Sequence, residues 1–292
     1  MDKKQSWWQI FFKAAVVGGT MTVPGASGGT MAMILGIYED LIQAVGGILR
    51  HLQKSLCFLA LFCVGALAGM AALARGVLAL LERYPVVTSY FFLGAVAGGI
   101  PLICRRAQIE KMTWQALVWP LTGLFIVYGL ASLPKDLFTA GLSGNAPTLD
   151  MPSLSHFLWQ FLGGCILAVA LVLPGISVSQ MLLMLGLYEP VMEAVSKFRF
   201  ASLIPMGLGA VLCTLLFTRL LGNALDRRPQ PTYLLILGFV LGSLGQLYPG
   251  QNRSGLLAWL LSGLPAGWEL LFAPLAAIAG YQLLARISRR AQ

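Results

Sequence analysis

The feature that most limits how this chain can fold is a series of apolar runs that recur from its first residues to its last. Examples are Leu56–Leu73, Tyr90–Cys104, Trp114–Leu133, Ile204–Leu221 and Trp268–Leu284. A helix needs about 20 such residues to cross the hydrocarbon core of a bilayer. Only 11% of the residues are charged, against roughly 25% in an ordinary soluble domain. The chain is therefore predicted to be an all-α integral membrane protein without a sizeable soluble domain.

The net charge of +9 does not indicate nucleic-acid binding, because the basic residues stand singly or in pairs at the ends of apolar runs. Lys and Arg collect on the cytoplasmic side of membrane proteins. With the N-terminus inside, the cytoplasmic ends carry Lys3, Lys4, Arg50, Lys54, Arg105, Arg106, Lys111, Arg227, Arg228, Arg286, Arg289 and Arg290, and the outer ends carry Arg83, Lys135, Lys197, Arg199 and Arg253. This bias predicts that both termini are cytoplasmic. The five cysteines form no C-x-x-C pair, so no metal site is predicted.

An internal repeat divides the chain into two halves. The stretches VPGASGGTMAMILGIYEDLI (23–42) and LPGISVSQMLLMLGLYEPVM (173–192) are identical at eight of twenty positions without a gap. After a six-residue shift the match continues, for example from LGAVAG (93–98) to LGFVLG (237–242). Self-similarity of this kind indicates a duplicated structural unit.

Each half is predicted to be a helical hairpin, re-entrant and broken by proline and glycine, followed by three transmembrane helices. Repeat 1 covers 1–133, with its hairpin at 8–46 and spans at 56–81, 87–104 and 113–133; an outer polar linker follows at 134–154; repeat 2 covers 155–292, with its hairpin at 157–195 and spans at 201–222, 232–248 and 268–287. A hairpin returns to its starting side, so each half crosses the membrane an odd number of times and the second half is inverted. Many secondary transporters have this architecture, with the substrate held between the repeats.

Pro24 and Gly25, and likewise Pro174 and Gly175, are expected to break the hairpins, because proline lacks the amide hydrogen and glycine admits unusual backbone angles. The freed backbone groups must face protein or a watery cavity. A second arm that starts at about Ser27–Thr30 would present unpaired amides and a positive helix end to an oxyanion such as phosphate. A kink in a tightly packed helix is the alternative, but the duplication favours a site. The predicted phosphate ligands of the two motifs are Ser27, Gly28, Gly29, Thr30, Ser177, Ser179 and Gln180.

Two arginines occupy equivalent places in apolar spans. Arg75 lies in MAALARGVLALL and Arg219 in LCTLLFTRLLGNAL, where a central arginine is unfavourable by roughly 2.5–3.5 kcal/mol. The guanidinium group matches phosphate oxygens. Each side chain could instead reach a nearby surface or pair structurally with Glu39 or Glu189, but the duplication favours a ligand role.

Glu39 and Glu189 lie about twelve residues, roughly 18 Å of helix, beyond the motif serines, which could place them near the membrane surface. They are candidates for gating, for holding an arginine between substrates, or for binding a coupling proton. Tyr38 and Tyr188 precede them and are expected to be residues of the aromatic belt.

The motifs PGASGGTMAMILGIYE and PGISVSQMLLMLGLYEP, with LGFVLGSLGQLYP later in the chain, resemble those of the bacterial polyprenyl-phosphate translocases of the PopT type. The resemblance covers nearly the whole chain. It implies a protein of the bacterial inner membrane that returns undecaprenyl phosphate, the lipid carrier of cell-wall precursors, from the outer to the inner leaflet. The matching motif residues are Pro24, Gly25, Ser27, Gly28, Gly29 and Thr30, then Pro174, Gly175, Ser177 and Ser179. This chain departs from the family pattern at Val178, where glycine is expected, and at Gly245 and Gln246, where basic residues are expected.

The leading interpretation is a transporter, not an enzyme, that moves a lipid phosphate by alternating access of its two halves. No cofactor is expected, and coupling to a H⁺ or Na⁺ gradient is left open. A membrane polyprenyl-diphosphate phosphatase would share the substrate, but it needs a base or nucleophile and usually a metal or histidine, and the motifs contain no acidic cluster. A small-anion transporter would need a wide polar lumen, whereas polar residues in these spans are sparse.

Overall fold

The fold is that of a computed structural model, which describes residues 6–21, 27–107, 114–132, 154–178, 181–182, 185–197, 199–244 and 269–290. Pro24, Gly25, Ser179, Gln180, Gly245, Gln246 and linker residues 134–153 lie outside this part of the chain. The described residues form helices and contain no strand. The helices are α1 Trp7–Thr20, α2 Gly28–Ile34, α3 Tyr38–Gly46, α4 Leu52–Arg83, α5 Pro85–Arg106, α6 Trp114–Ser132, α7 Leu154–Val172, α8 Tyr188–Ser196, α9 Ile204–Arg227, α10 Pro229–Leu244 and α11 Glu269–Arg290, with a 3₁₀ turn at Phe200–Leu203. The prediction of an all-α protein is confirmed.

Three helical segments are long and apolar enough to cross a membrane. They are Leu52–Arg83, Pro85–Arg106 and Phe200–Arg227, and shorter apolar stretches lie in α6, α7 and α10. In the apolar 18-residue stretch of α5, 56% of the residues are buried, whereas only 11% are buried in the corresponding stretches of the other two long segments. Helix α5 therefore lies in the protein interior, and α4 and α9 present most of their apolar surface outward, as lipid-facing helices do.

The first helix of each hairpin runs parallel to the long helix that follows the hairpin. Helix α1 packs on α4, and successive close approaches join Phe11 to Gly65, Ala15 to Gly69 and Gly19 to Leu73. A Cβ at Gly69 would lie 1.9 Å from the Ala15 carbonyl oxygen, so only glycine permits this approach. Because the contacts advance together, α1 and α4 start at the same side, and the chain between them returns to that side.

The same arrangement recurs in the second half. Helix α7 packs on α9, a Cβ at Gly209 would lie 2.2 Å from the Phe161 carbonyl oxygen, and Cys165 contacts Cys213 one turn further along both helices. Phe161 and Gly209 are the sequence counterparts of Phe11 and Gly65. The hairpin packing therefore corresponds between the halves.

The remaining long helices pair across the two halves. Helix α5 packs on α11 and α10 packs on α6. A Cβ at Gly94 would lie 1.9 Å from the Ala277 carbonyl oxygen, and a Cβ at its counterpart Gly238 would lie 2.1 Å from that of Pro120. Small residues let such helices approach closely. The last helix of each half thus packs against a helix of the other half.

The second arm of the first hairpin contains a break that the sequence analysis did not predict. Helix α2 ends at Ile34 and α3 begins at Tyr38. Gly36 has a φ of 66°, and the amides of Gly36 and Ile37 donate to Met33 and Ala32. Gly36 therefore ends the helix, and the turn that it forms pairs the carbonyls of Ala32 and Met33, which lack a partner within the helix. The roughly 18 Å of helix expected between the motif serines and Glu39 is therefore interrupted at Gly36.

The second hairpin ends its corresponding turn in the same way. Gly186 has a φ of 65°, and the Leu187 amide donates to the Leu182 carbonyl at 2.9 Å. The shared sequence LG-x-YE therefore places a left-handed glycine immediately before each tyrosine and glutamate pair.

Candidate functional site

The two proline–glycine motifs meet in the interior. Helix α2 begins at Gly28 with Ser27 as its N-cap, within the predicted start at Ser27–Thr30. A Cβ at Gly29 would lie 3.2 Å from the Cα of Pro174. The structure therefore brings together the tips of two hairpins that stand far apart in the sequence.

Corresponding backbone contacts follow each motif. The Met31 amide donates to the Ser27 carbonyl at 3.2 Å, and the Met181 amide donates to the Ser177 carbonyl at 3.1 Å. In the second tip, Gly175 has a φ of 89°, and a Cβ there would lie 2.3 Å from the Phe239 carbonyl oxygen on α10. A side chain at that position would force the tip away from α10, so the glycine fixes this contact.

The hydroxyl groups at the first tip are not used by the helix. The Ser27 side chain makes no capping hydrogen bond, and the buried Thr30 hydroxyl has no hydrogen-bond partner among the residues that the structure describes. Only 2% of Thr30 is exposed. A buried polar group without a partner costs about 1–3 kcal/mol, so Thr30 has an acceptor or donor capacity that a ligand can satisfy.

The two predicted arginines have different surroundings. The Arg219 Nε donates to the Gly46 carbonyl at 3.0 Å, so this side chain caps the C-terminal end of α3. Arg75 lies exposed on α4 and has no hydrogen bond or ion pair with the described residues. Neither arginine pairs with Glu39, which was the structural alternative considered from the sequence.

Glu39 lies in the first turn of α3 and pairs with residues that the sequence analysis did not select. It forms an ion pair with Arg106, from the last turn of α5, and accepts a hydrogen bond from the Tyr233 hydroxyl of α10. Both donors reach the same carboxylate oxygen, Oε1. Side chains from both halves therefore converge on one oxygen.

A small pocket surrounds this cluster. Its lining comes from the α2–α3 connection, α5 and α10: Met33, Gly36, Tyr38, Glu39, Leu102, Ile103, Arg106 and Tyr233. The side chains of Glu39 and Arg106 are each 40% exposed, so the cluster is reachable from outside the protein. Asp40 beside it interacts electrostatically with Lys13 of α1 and with Arg106, so four charged side chains interact here.

Tyr38 connects the first hairpin to the second. Its side chain is 4% exposed, and its hydroxyl donates to the Val172 carbonyl at 2.7 Å. Val172 is the last residue of α7, where helix carbonyls lack an intrahelical partner. The expectation of an aromatic-belt position is wrong for Tyr38, because the side chain is needed to pair a buried helix end.

The fold and these contacts define an all-α membrane protein whose two hairpins meet in its interior. A sequence profile of the VCA0040-like family, described as undecaprenyl phosphate translocase-like, matches residues 17–258. The match covers well over half of the chain, so this protein belongs to that family. The resemblance noted from its motifs is confirmed.

Two relatives carry transporter names. A polyprenyl-phosphate transporter of Vibrio cholerae serotype O1 is 29% identical over 273 residues, which cover 88% of this chain and 82% of the relative. A polyprenyl-phosphate transporter of Staphylococcus aureus is 31% identical over 267 residues, which cover 89% of this chain and 92% of the relative. No solved structure matches the chain.

Proposed function

We propose that this protein transports undecaprenyl phosphate from the outer to the inner leaflet of the bacterial inner membrane, which recycles the carrier lipid of cell-wall synthesis. The family and the two relatives named polyprenyl-phosphate transporter support a polyprenyl phosphate as the substrate. The contact between the two motif tips at Gly29 and Pro174 carries the proposal, because it gives one central place where both halves can hold a phosphate.

The phosphate is held at the meeting tips by backbone amides and hydroxyl groups. The buried Thr30 hydroxyl supports this position because it has no hydrogen-bond partner in the described part of the chain. Arg75 and Arg219 bind the phosphate through their positive charge as the halves move. The isoprenoid tail stays in lipid. The residues proposed to hold phosphate are Ser27, Gly28, Gly29, Thr30, Ser177, Ser179, Gln180, Arg75 and Arg219.

The two halves act as inverted repeats that alternate access to this place. The corresponding pairs α1 with α4 and α7 with α9, and the exchanged pairs α5 with α11 and α10 with α6, support this arrangement. Helix α1 has 14 residues and is roughly 21 Å long, short of the roughly 30 Å hydrocarbon core. A re-entrant hairpin accounts for that length and for the return of the chain to the starting side.

Both termini lie in the cytoplasm in this proposal. Helices α5 and α11 run parallel, since Gly94 meets Ala277 and Gly98 meets Tyr281. Their basic C-terminal ends, with Arg106 on one and Arg286 on the other, therefore lie on the same side. That side is the cytoplasm by the usual distribution of positive charge. A H⁺ or Na⁺ gradient drives the cycle, and no cofactor takes part.

The test uses purified protein in proteoliposomes with labelled undecaprenyl phosphate, and it follows both loss of outer-leaflet lipid and release of inorganic phosphate. The wild type is compared with Thr30→Val, which keeps the side-chain shape and removes the hydroxyl. We expect leaflet exchange without phosphate release in the wild type. Thr30→Val is expected to lose about tenfold in transport rate while unfolding at the same or a higher temperature, because an unsatisfied buried group is removed.

Thr122→Val is the matched control, because the Thr122 hydroxyl is exposed and donates only to Val118 of its own helix. It should transport at the wild-type rate. Release of phosphate from undecaprenyl diphosphate without leaflet exchange would make the protein an enzyme and overturn the proposal. Unchanged transport in Thr30→Val would remove that hydroxyl from the phosphate site.

A further inference from the structure

We propose that Arg106 and Tyr233 form a second contact site for the substrate phosphate, and that Glu39 occupies this site until the phosphate displaces it. The inference rests on the proposed function for its ligand class, a phosphate monoester of a lipid. It concerns residues that lie apart from the two motif tips, at the opposite end of α2. The seven-residue helix α2, Gly28–Ile34 and roughly 10 Å long, separates the tip from Gly36 beside this pocket.

The first argument is the convergence of donors. Arg106 and Tyr233 come from α5 and α10, which belong to different halves, and both donate to Oε1 of Glu39. A guanidinium and a hydroxyl group aimed at one oxygen form an oxyanion site, whichever oxyanion fills it. Here the carboxylate of Glu39 fills it.

The second argument is the chemistry of the two competing anions. A carboxylate offers one negative charge and two oxygens, whereas a phosphate monoester carries about −1.5 to −2 charges near neutral pH and three oxygens. Arginine binds phosphate in a bidentate manner, and the Tyr233 hydroxyl can donate to a third position. The donors that hold Glu39 therefore bind a phosphate at least as strongly.

The third argument is the space available. The pocket leaves about 20 Å³ for the centre of a water-sized molecule, which is room for roughly one water and too little for a phosphate group beside the carboxylate. The phosphate is therefore proposed to replace the carboxylate and not to bind beside it. Glu39 can leave because its side chain is 40% exposed and because it lies in the first turn of α3, directly after the Gly36 break.

This exchange gives the Glu39 carboxylate a definite role. In the absence of substrate it is the ion-pair partner of Arg106 at the end of an interior helix. When the phosphate arrives, Glu39 is released and the contact between α3, α5 and α10 is remade through the ligand. The site thereby couples phosphate binding to the junction of the two halves.

The experiment measures binding to the full-length protein in nanodiscs, with farnesyl phosphate as a short polyprenyl phosphate and inorganic phosphate as a second probe. Glu39→Gln should tighten farnesyl phosphate binding by about threefold or more, because a competing anion is removed. Arg106→Gln should weaken it by about tenfold. In Arg106→Gln the further change Glu39→Gln should have a smaller effect than in the wild type, because the arginine for which the two anions compete is gone.

Controls keep the result interpretable. Tyr233→Phe retains the ring and removes one donor, and it should weaken binding by about threefold even if Arg106→Gln fails to fold. The exposed pair Glu193 and Arg199 offers a matched acid and base: Glu193→Gln and Arg199→Gln should leave binding unchanged. Thermal unfolding of every variant shows which ones retain the fold.

Several outcomes would overturn the inference. If Glu39→Gln weakens binding as Arg106→Gln does, the ion pair is only structural. If the same pattern holds for inorganic phosphate but not for farnesyl phosphate, free phosphate and not the lipid is the ligand. If the wild type moves lipid but Glu39→Gln and Arg106→Gln leave farnesyl phosphate binding unchanged, this inference alone is overturned. A wild type that binds phosphate in the expected pattern but moves no lipid overturns the proposed function alone.

Discussion

The two halves repeat the sequence LG-x-YE, but they use its glutamate differently. Glu39 is held by Arg106 and Tyr233. Glu189 occupies the same position in the second half, yet it is exposed and has no ion pair with the described residues. One glutamate joins the two halves, and the other lies on the surface.

The difference comes from the partner positions. By the register that aligns Gly94 with Gly238, the counterpart of Arg106 is Gly250 and the counterpart of Tyr233 is Ser89. Gly250 has no side chain to pair with a carboxylate, and Ser89 has a much shorter side chain than tyrosine. Repetition of a motif therefore does not imply repetition of its site, since the surrounding helices have diverged.

The largest expected effect concerns the two equivalent arginines. Arg75→Ala and Arg219→Ala should each lower transport by about tenfold or more if both bind phosphate. Only Arg219→Ala should also destabilise the fold, by about 1 kcal/mol, because it removes the cap on α3. Leaflet exchange in proteoliposomes and thermal unfolding measure the two effects. Normal transport in both variants would remove these arginines from the site, and Arg219→Lys should recover part of the transport if charge alone matters.

The membrane class, the start of α2 and the paired motifs were predictable from the sequence, because hydropathy and proline or glycine act locally. The start of α2 at Gly28 follows directly from PGASGG. The break at Gly36 was also encoded, in the LG-x-YE sequence of both halves, but the apolar residues on either side of it suggested a continuous helix.

The partners of Glu39 could not be predicted in this way. Arg106 lies 67 residues away in sequence and Tyr233 lies 194 residues away, so only the packing of α3, α5 and α10 brings them together. Arg106 looked like one more cytoplasmic positive charge beside Arg105. Tyr233 looked like a residue of an apolar span. An acid that follows a buried apolar turn was the one available signal that a cation had to be near.

A smaller effect is expected at the tyrosines that precede the two glutamates. Tyr38→Phe leaves the Val172 carbonyl unpaired in a buried position, so the free energy of unfolding should fall by about 1–3 kcal/mol. Tyr188 is only half-buried, and its hydroxyl makes no hydrogen bond to the part of the chain described by the structure, so Tyr188→Phe should change stability little. Denaturant or thermal unfolding in detergent compares the two. Equal losses would mean that both tyrosines pair a helix end.

The most direct test of the difference between the halves is at the two left-handed glycines. Gly36→Ala and Gly186→Ala place a Cβ at nearly the same φ, 66° and 65°, so each should destabilise the fold by about 1–2 kcal/mol. Gly36 also lines the pocket of Arg106, and a change there alters the position of Glu39. Gly36→Ala should therefore change phosphate affinity as well as stability, whereas Gly186→Ala should change stability alone. Equal effects of the two variants on phosphate affinity would show that the LG-x-YE turns of both halves contribute to phosphate binding. The different surroundings of Glu39 and Glu189 would then have no role in binding.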